Sequence, residues 1–325
     1  MQIFLNFVLL IVGFVGLIKG ADLFVDGSSS LARTFKVPGV IIGLTIVAMG
    51  TSAPELAVSS SAAINGSNEI AFSNVMGSNI FNLLAVLGVC ALIRPIPIDR
   101  GILKRDFPIS IVITLAMFAA VGLKIFTGFD FFGTPMSENI GTLSRPFSII
   151  LLVLFVLYII MLVVMALKSK TEDDGEKPMP IWKSLLFIAI GLACIIIGGN
   201  LVVNNAKDIA AAFGMSETLI GLTIVAVGTS LPELVTSVVA SRKGENDLAV
   251  GNVVGSNIFN LLLILGVSGT IRPMAVNYAS VIDLGILIFV SIVTLIFSLT
   301  KKISRIEGAV MVMIYIATVV FAIIR

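Results

Sequence analysis

The stretch Gly43-Leu-Thr-Ile-Val-Ala-Met-Gly-Thr-Ser-Ala-Pro-Glu55 returns almost unchanged as Gly221-Leu-Thr-Ile-Val-Ala-Val-Gly-Thr-Ser-Leu-Pro-Glu233, at an offset of 178 (233 − 55). The same offset carries Gly77-Ser-Asn-Ile-Phe-Asn-Leu-Leu84 onto Gly255-Ser-Asn-Ile-Phe-Asn-Leu-Leu262, and Ile93-Arg-Pro95 onto Ile271-Arg-Pro273, without a gap. It also sets Asp22 against Asn200 and Asp26 against Asn204, so the likeness covers three consecutive apolar segments rather than one short motif. Gene duplication is the simplest origin.

Around these blocks the chain is made for lipid. It is 58% hydrophobic and only 12% charged, against roughly 25% charged in an ordinary soluble domain. Its mean hydropathy is +1.12. A helix needs about 20 apolar residues to cross the hydrocarbon core, because backbone polar groups find no water there and must pair within the segment. The runs predict an all-α integral membrane protein of about ten spans, at 3–31, 38–64, 69–93, 103–123, 146–168, 183–210, 216–241, 247–271, 280–299 and 306–324. The first run lacks a basic leader and continues into Lys19, Asp22 and Asp26 without a convincing cleavage site, so it reads as a helix rather than a signal peptide.

Five spans in each copy is an odd number, so the second copy enters the membrane from the opposite side. Residues 1–168 form the first inverted repeat, 169–182 a cytoplasmic linker and 183–325 the second repeat. Inverted repeats of this kind are typical of secondary transporters, whose site lies at the repeat interface near the midplane. With the N-terminus outside, roughly 16 of the 21 basic residues face the cytoplasm, and Lys124, Arg145, Lys207, Arg272 and Arg325 lie outside. Both termini are therefore expected outside. A net charge of +2, spread over separate loops, gives no reason to expect nucleic acid as a partner. Cys90 and Cys194 sit in apolar runs, where cysteine usually packs as a small hydrophobe.

Most acidic residues lie in loops or near span ends, but Glu55 and Glu233 lie well inside spans. An ionised residue there costs at least about 2.5–3.5 kcal/mol on insertion scales, so each glutamate needs a partner. No equivalent Lys or Arg lies in the middle of the repeated segments, which leaves a bound cation or a proton. A plainer reading exists: Ser52-Ala-Pro-Glu55 and Ser230-Leu-Pro-Glu233 fit the capping box, with serine as N-cap and glutamate three residues on. Both readings share a helix that breaks around Gly50 and Pro54, or Gly228 and Pro232, and restarts. A break within the membrane frees carbonyls around Ala48 and Ala226, and Thr51, Ser52, Thr229 and Ser230 add hydroxyls. The resulting oxygen cage suits calcium or sodium rather than zinc or copper.

On the following span of each copy, Asn74, Ser78 and Asn82 recur every four residues, as do Asn252, Ser256 and Asn260, placing each trio on one helical face. Asn74 and Asn252 read as interhelical hydrogen-bonding residues, with Gly77 and Gly255 allowing close packing; Ser78, Asn82, Ser256 and Asn260 read as ligands. Asp22 and Asp26 read as interfacial. The acidic stretch Thr171–Pro180 reads as a solvated loop.

The paired G-T-S-x-P-E and G-S-N-I-F-N blocks resemble the two alpha repeats of the sodium/calcium exchangers of the calcium/cation antiporter superfamily, in its prokaryotic form. The resemblance covers both repeats and the ten-helix organisation. It implies sodium/calcium exchange by alternating access, no cofactor, and a prokaryotic plasma membrane as location. Glu55 and Glu233 match the central acidic ligands of that family, Thr51, Ser52, Ser78, Asn82, Thr229, Ser230 and Ser256 its coordinating positions, and Ala48 and Ala226 its backbone carbonyls. Asn260 departs from the pattern, because several members carry aspartate there. A calcium (or other cation)/proton exchanger and a potassium-dependent sodium/calcium exchanger remain alternatives, and the absence of histidine weighs against proton coupling. A channel would use the same oxygens without a counter-ion. Enzymatic activity is not expected, since without histidine there is no Ser-His pair.

Overall fold

A computed structural model describes residues 2–122, 135–168, 177–215 and 226–324. The first helix, α1 (Gln2–Phe35), is followed by a bent pair, α2 (Gly39–Thr51) and α3 (Ala53–Ile64), and by α4 (Glu69–Ile93). A short strand β1 (Ile96–Pro97) precedes α5 (Ile102–Gly122), and β2 (Asn139–Leu143) precedes α6 (Arg145–Lys168). The second half runs through α7 (Ile181–Ala212), the single turn α8 (Ala226–Gly228), α9 (Leu231–Lys243), α10 (Asn246–Ile271), β3 (Met274–Asn277), α11 (Tyr278–Ser298), β4 (Lys302–Ile303) and α12 (Arg305–Ile324).

Among the described residues, eight helices are long and apolar enough to cross a membrane, and a ninth span is made by α2 and α3 together, bent by 48°. The seventh expected span, 216–241, begins outside the described residues and continues as α8 and α9. The bend at Ser52 is where the sequence places a restart: Pro54 has no N–H to offer the Gly50 carbonyl, and Ser52 leaves helical geometry at φ −84°, ψ 5°. Ser230 does the same before α9, at φ −96°, ψ 8°.

Burial sorts the helices into two layers. The spanning window of α10 is 94% buried and that of α4 78%, whereas those of α6 and α12 are 17% and 11% buried, so α4 and α10 lie at the centre and α6 and α12 at the periphery. The two central helices are locked reciprocally, since Asn79 Nδ2 donates to the Asn257 carbonyl (3.2 Å) and Asn257 Nδ2 to the Asn79 carbonyl (3.3 Å). Each half's last helix packs on the other half's central helix. Gly308 of α12 meets Gly88 of α4 so closely that a Cβ there would lie 2.7 Å from the Gly88 oxygen, and Gly266 of α10 faces Ser148 of α6.

The exchange is repeated in two antiparallel ribbons absent from the sequence reading, β1 with β4 and β2 with β3, each joining one half to the other. α1 and α7 cross antiparallel at matched glycines: Gly13 meets Gly198, and Gly20 meets Gly191. Backbones can approach this closely only where side chains are missing.

Candidate cation site

Both restart segments converge on the central helices. Glu55 and Glu233 are fully buried, at 0% exposure. Ser52 and Ser230, read as N-caps, make no side-chain cap bond. Their hydroxyls cross to the opposite half instead. Ser52 Oγ donates to Glu233 Oε1 at 2.9 Å, and Ser230 Oγ lies 3.1 Å from Glu55 Oε1 and 3.0 Å from Ser78 Oγ. The capping-box reading is corrected here, because a glutamate held by a serine of the other repeat is not completing its own helix start.

The remaining oxygens gather around this exchange. Ser256 Oγ lies 3.5 Å from Glu233 Oε1. Thr51 Oγ1 reaches the Asn252 Oδ1 at 2.9 Å and the Val47 carbonyl at 3.1 Å; Thr229 Oγ1 is 3.5 Å from Asn74 Oδ1. Asn74 and Asn252 are themselves held by Ser59 (3.0 Å) and Ser237 (2.9 Å), as the interhelical reading requires. The Ala48 carbonyl accepts Ser52 N at 3.0 Å and sits at the broken end of α2, and Ala226 opens α8. Gly255 packs against Ala48 and Leu44, while the matching surroundings of Gly77, at 222 and 226, fall at residues whose side chains are not described.

Several buried oxygens have no protein partner: Glu55 Oε2, Glu233 Oε2, Asn82 Oδ1 and Asn260 Oδ1. A buried polar atom without a hydrogen bond is costly, and carboxylate and amide oxygens are the donor types that hard cations take as ligands. Asn82 and Asn260 each open a π-helical turn, Asn82–Val86 and Asn260–Ile264. Such widened turns occur often at functional sites.

Sequence reading missed Asn79 and Asn257, which stand next to Ser78 and Ser256 but off the every-fourth-residue face. Asn79 also accepts from Asn260 Nδ2 at 2.9 Å, leaving only the oxygen of Asn260 free. Their signal was present in the repeated G-S-N block.

A third buried acid, besides Glu55 and Glu233, was not anticipated by sequence reading. Asp106, expected near a solvated helix end, is fully buried, bound by Arg105 Nε (2.8 Å) and Nη2 (2.6 Å) and by the Tyr158 hydroxyl (3.1 Å). Asp22 and Asp26 are partly exposed and face Lys243 at 3.4 and 2.7 Å, consistent with an interfacial position.

With the broken helices, crossed halves and paired carboxylates established, comparison with known proteins is decisive. The sodium/calcium exchanger protein family matches residues 5–164 and 183–324. The chain belongs to this family. It is 39% identical over 322 residues to CaxA of Alkalimonas amylolytica, named as a candidate antiporter, covering 95% of this chain and 96% of that one. It is 35% identical over 345 residues to the sodium/calcium exchanger MaX1 of Methanosarcina acetivorans, covering 98% and 99%. A solved structure of the sodium-calcium exchanger NCX_Mj, soaked with 10 mM sodium and no calcium, superposes with a TM-score of 0.80 at 31% identity, covering 98% and 99%. The protein is thus an integral membrane cation antiporter of the prokaryotic exchanger type, and the prediction of the family from its two repeats holds.

Proposed function

We propose that this antiporter exchanges sodium for calcium at the site between the two repeats. The reading rests on one observation: two fully buried glutamates whose side-chain partners are hydroxyls, each with an unpartnered carboxylate oxygen. Among the described residues no Lys or Arg bonds to either glutamate, so the positive charge has to arrive as cargo. One calcium ion or two sodium ions would neutralise a charge of −2, and a third sodium would leave +1. Thr51, Ser52, Ser78, Asn82, Thr229, Ser230, Ser256 and Asn260 supply neutral oxygens, with the Ala48 and Ala226 carbonyls. Such a donor set suits hard cations.

The architecture supports alternating access as the mechanism. The site neutralised by either cargo can pass an apolar barrier that an empty, charged site cannot, and α1 with α7, lying across the central helices as an antiparallel pair, is the moving unit. Halves 1–168 and 183–325 exchange roles between the two facing states. The basic-residue bias places both termini outside and residues 169–182 in the cytoplasm of a prokaryotic cell.

The test is calcium-45 uptake into proteoliposomes driven by an outward sodium gradient, with pH clamped and potassium varied. Uptake that needs the sodium gradient and is lost in Glu55→Gln and Glu233→Gln is the expected result. Uptake that follows a proton gradient would assign proton coupling, and calcium flux without any counter-ion would end the exchange reading.

A further inference from the structure

The two ends of the α1–α7 pair differ although the repeat relates them. At the end assigned to the cytoplasm, α1 is tied to the turn between α9 and α10. Lys243 Nζ contacts Asp26 Oδ1 (2.7 Å), Asp22 Oδ1 (3.4 Å) and the Asp22 carbonyl (3.0 Å). Arg33 Nη2 pairs with Glu245 Oε1 at 2.9 Å, and Ser29 Oγ donates to the same carboxylate oxygen. Gly244, at φ +86°, makes the left-handed turn that lets Lys243 and Glu245 flank it.

At the opposite end, the offset of 178 puts Asn200, Asn204 and Ala211 in place of Asp22, Asp26 and Arg33, and Asn65 and Ser67 in place of Lys243 and Glu245. Lys207 of α7 lies there, but this turn offers it no acidic partner at either position. Duplication preserved the crossing glycines, yet among the described residues only the first end shows ion pairs between helix and turn.

We infer that Asp22, Asp26, Arg33, Lys243 and Glu245 form an ionic latch that holds α1 against the α9–α10 turn and must break for the cytoplasmic side to open. The inference rests on α1 and α7 being the moving unit proposed above. A sliding helix cannot keep hydrogen-bond distances to a turn on the central body, so one facing state has the latch and the other lacks it. The latch lines a polar cavity of about 550 Å³ bounded also by Lys177 and Met179. Its pairs are therefore wet and individually weak, which suits a contact broken in every cycle. With no ion pair available at the matching positions of the outer end, the pair of ends biases the resting equilibrium toward a closed cytoplasmic side.

The experiment writes the outer residues into the inner end. In full-length protein in liposomes, with Cys90→Ala and Cys194→Ala, spin labels are placed on Phe35→Cys and Arg242→Cys, and their distance distribution is measured. The variant Asp22→Asn/Asp26→Asn/Glu245→Ser should raise the long-distance population by about three- to tenfold, as expected for losing two or three weak, screened pairs. The charge-exchanged variant Asp22→Asn/Asp26→Lys/Lys243→Asp, which leaves no carboxylate facing the new one at 243 from α1, should restore the short distance. An unchanged distribution in the neutral variant, or the same broadening in the charge-exchanged variant, would overturn the latch. If the unlabelled protein fails to couple sodium to calcium, the proposed exchange fails while the distances still decide the latch.

Discussion

Asp106 and the Glu55–Glu233 pair are equally buried, yet one carries its counter-charge within the chain and the other does not. Asp106 is held by a bidentate arginine and a tyrosine hydroxyl, so its charge is already compensated within the chain. The glutamates receive hydroxyls of the opposite half and no cationic side chain among the described residues, and each keeps a free oxygen. Burial alone therefore does not mark a transport site. What marks it is burial with the compensating charge left out.

The largest effect expected from breaking this comparison is on stability. Arg105→Gln removes one partner of a buried pair and should destabilise the fold by about 3–5 kcal/mol, read as lowered thermal unfolding in detergent, while added calcium still stabilises the variant. Glu55→Gln and Glu233→Gln should behave in the opposite way. Calcium uptake should fall by about 100-fold or more, in line with a charge effect of about 2.5–3.5 kcal/mol, and stability without cations should not fall. If Glu233→Gln unfolded the protein as Arg105→Gln does, the distinction between the two buried acids would collapse.

Finer tests probe the crossed hydroxyls. Ser52→Ala and Ser230→Ala each remove a bond to a carboxylate, and calcium affinity should drop about tenfold, measured by calcium-dependent uptake. The smallest effect separates the two amides. Asn79→Ala frees Asn260 and should weaken affinity about three- to fivefold, whereas Asn257→Ala should leave the Asn82 amide, which has no protein partner, in place. Equal losses in both would mean that orientation of Asn260 is not what Asn79 contributes.

Much of this was legible in the chain itself. The duplicated blocks, the breakers Pro54 and Pro232, and the apolar run lengths depend on local chemistry: a proline lacks its N–H wherever it stands, and a span needs its twenty apolar residues whatever its neighbours. These determined a duplicated membrane bundle with broken helices and two glutamates at its centre. Partner choice is not local. Ser52 fits a cap by every short-range rule, and only the packing of α2 against the other half's α9 and α10 sends its hydroxyl to Glu233. The same holds for Asp106, whose burial is set by α6 bringing Tyr158 over it, and for the ribbons that pair β1 with β4 and β2 with β3. Sequence determined which groups each half carries; the tertiary structure decided that the halves complete each other, because a hydrogen bond between residues 181 positions apart exists only once both helices are in place.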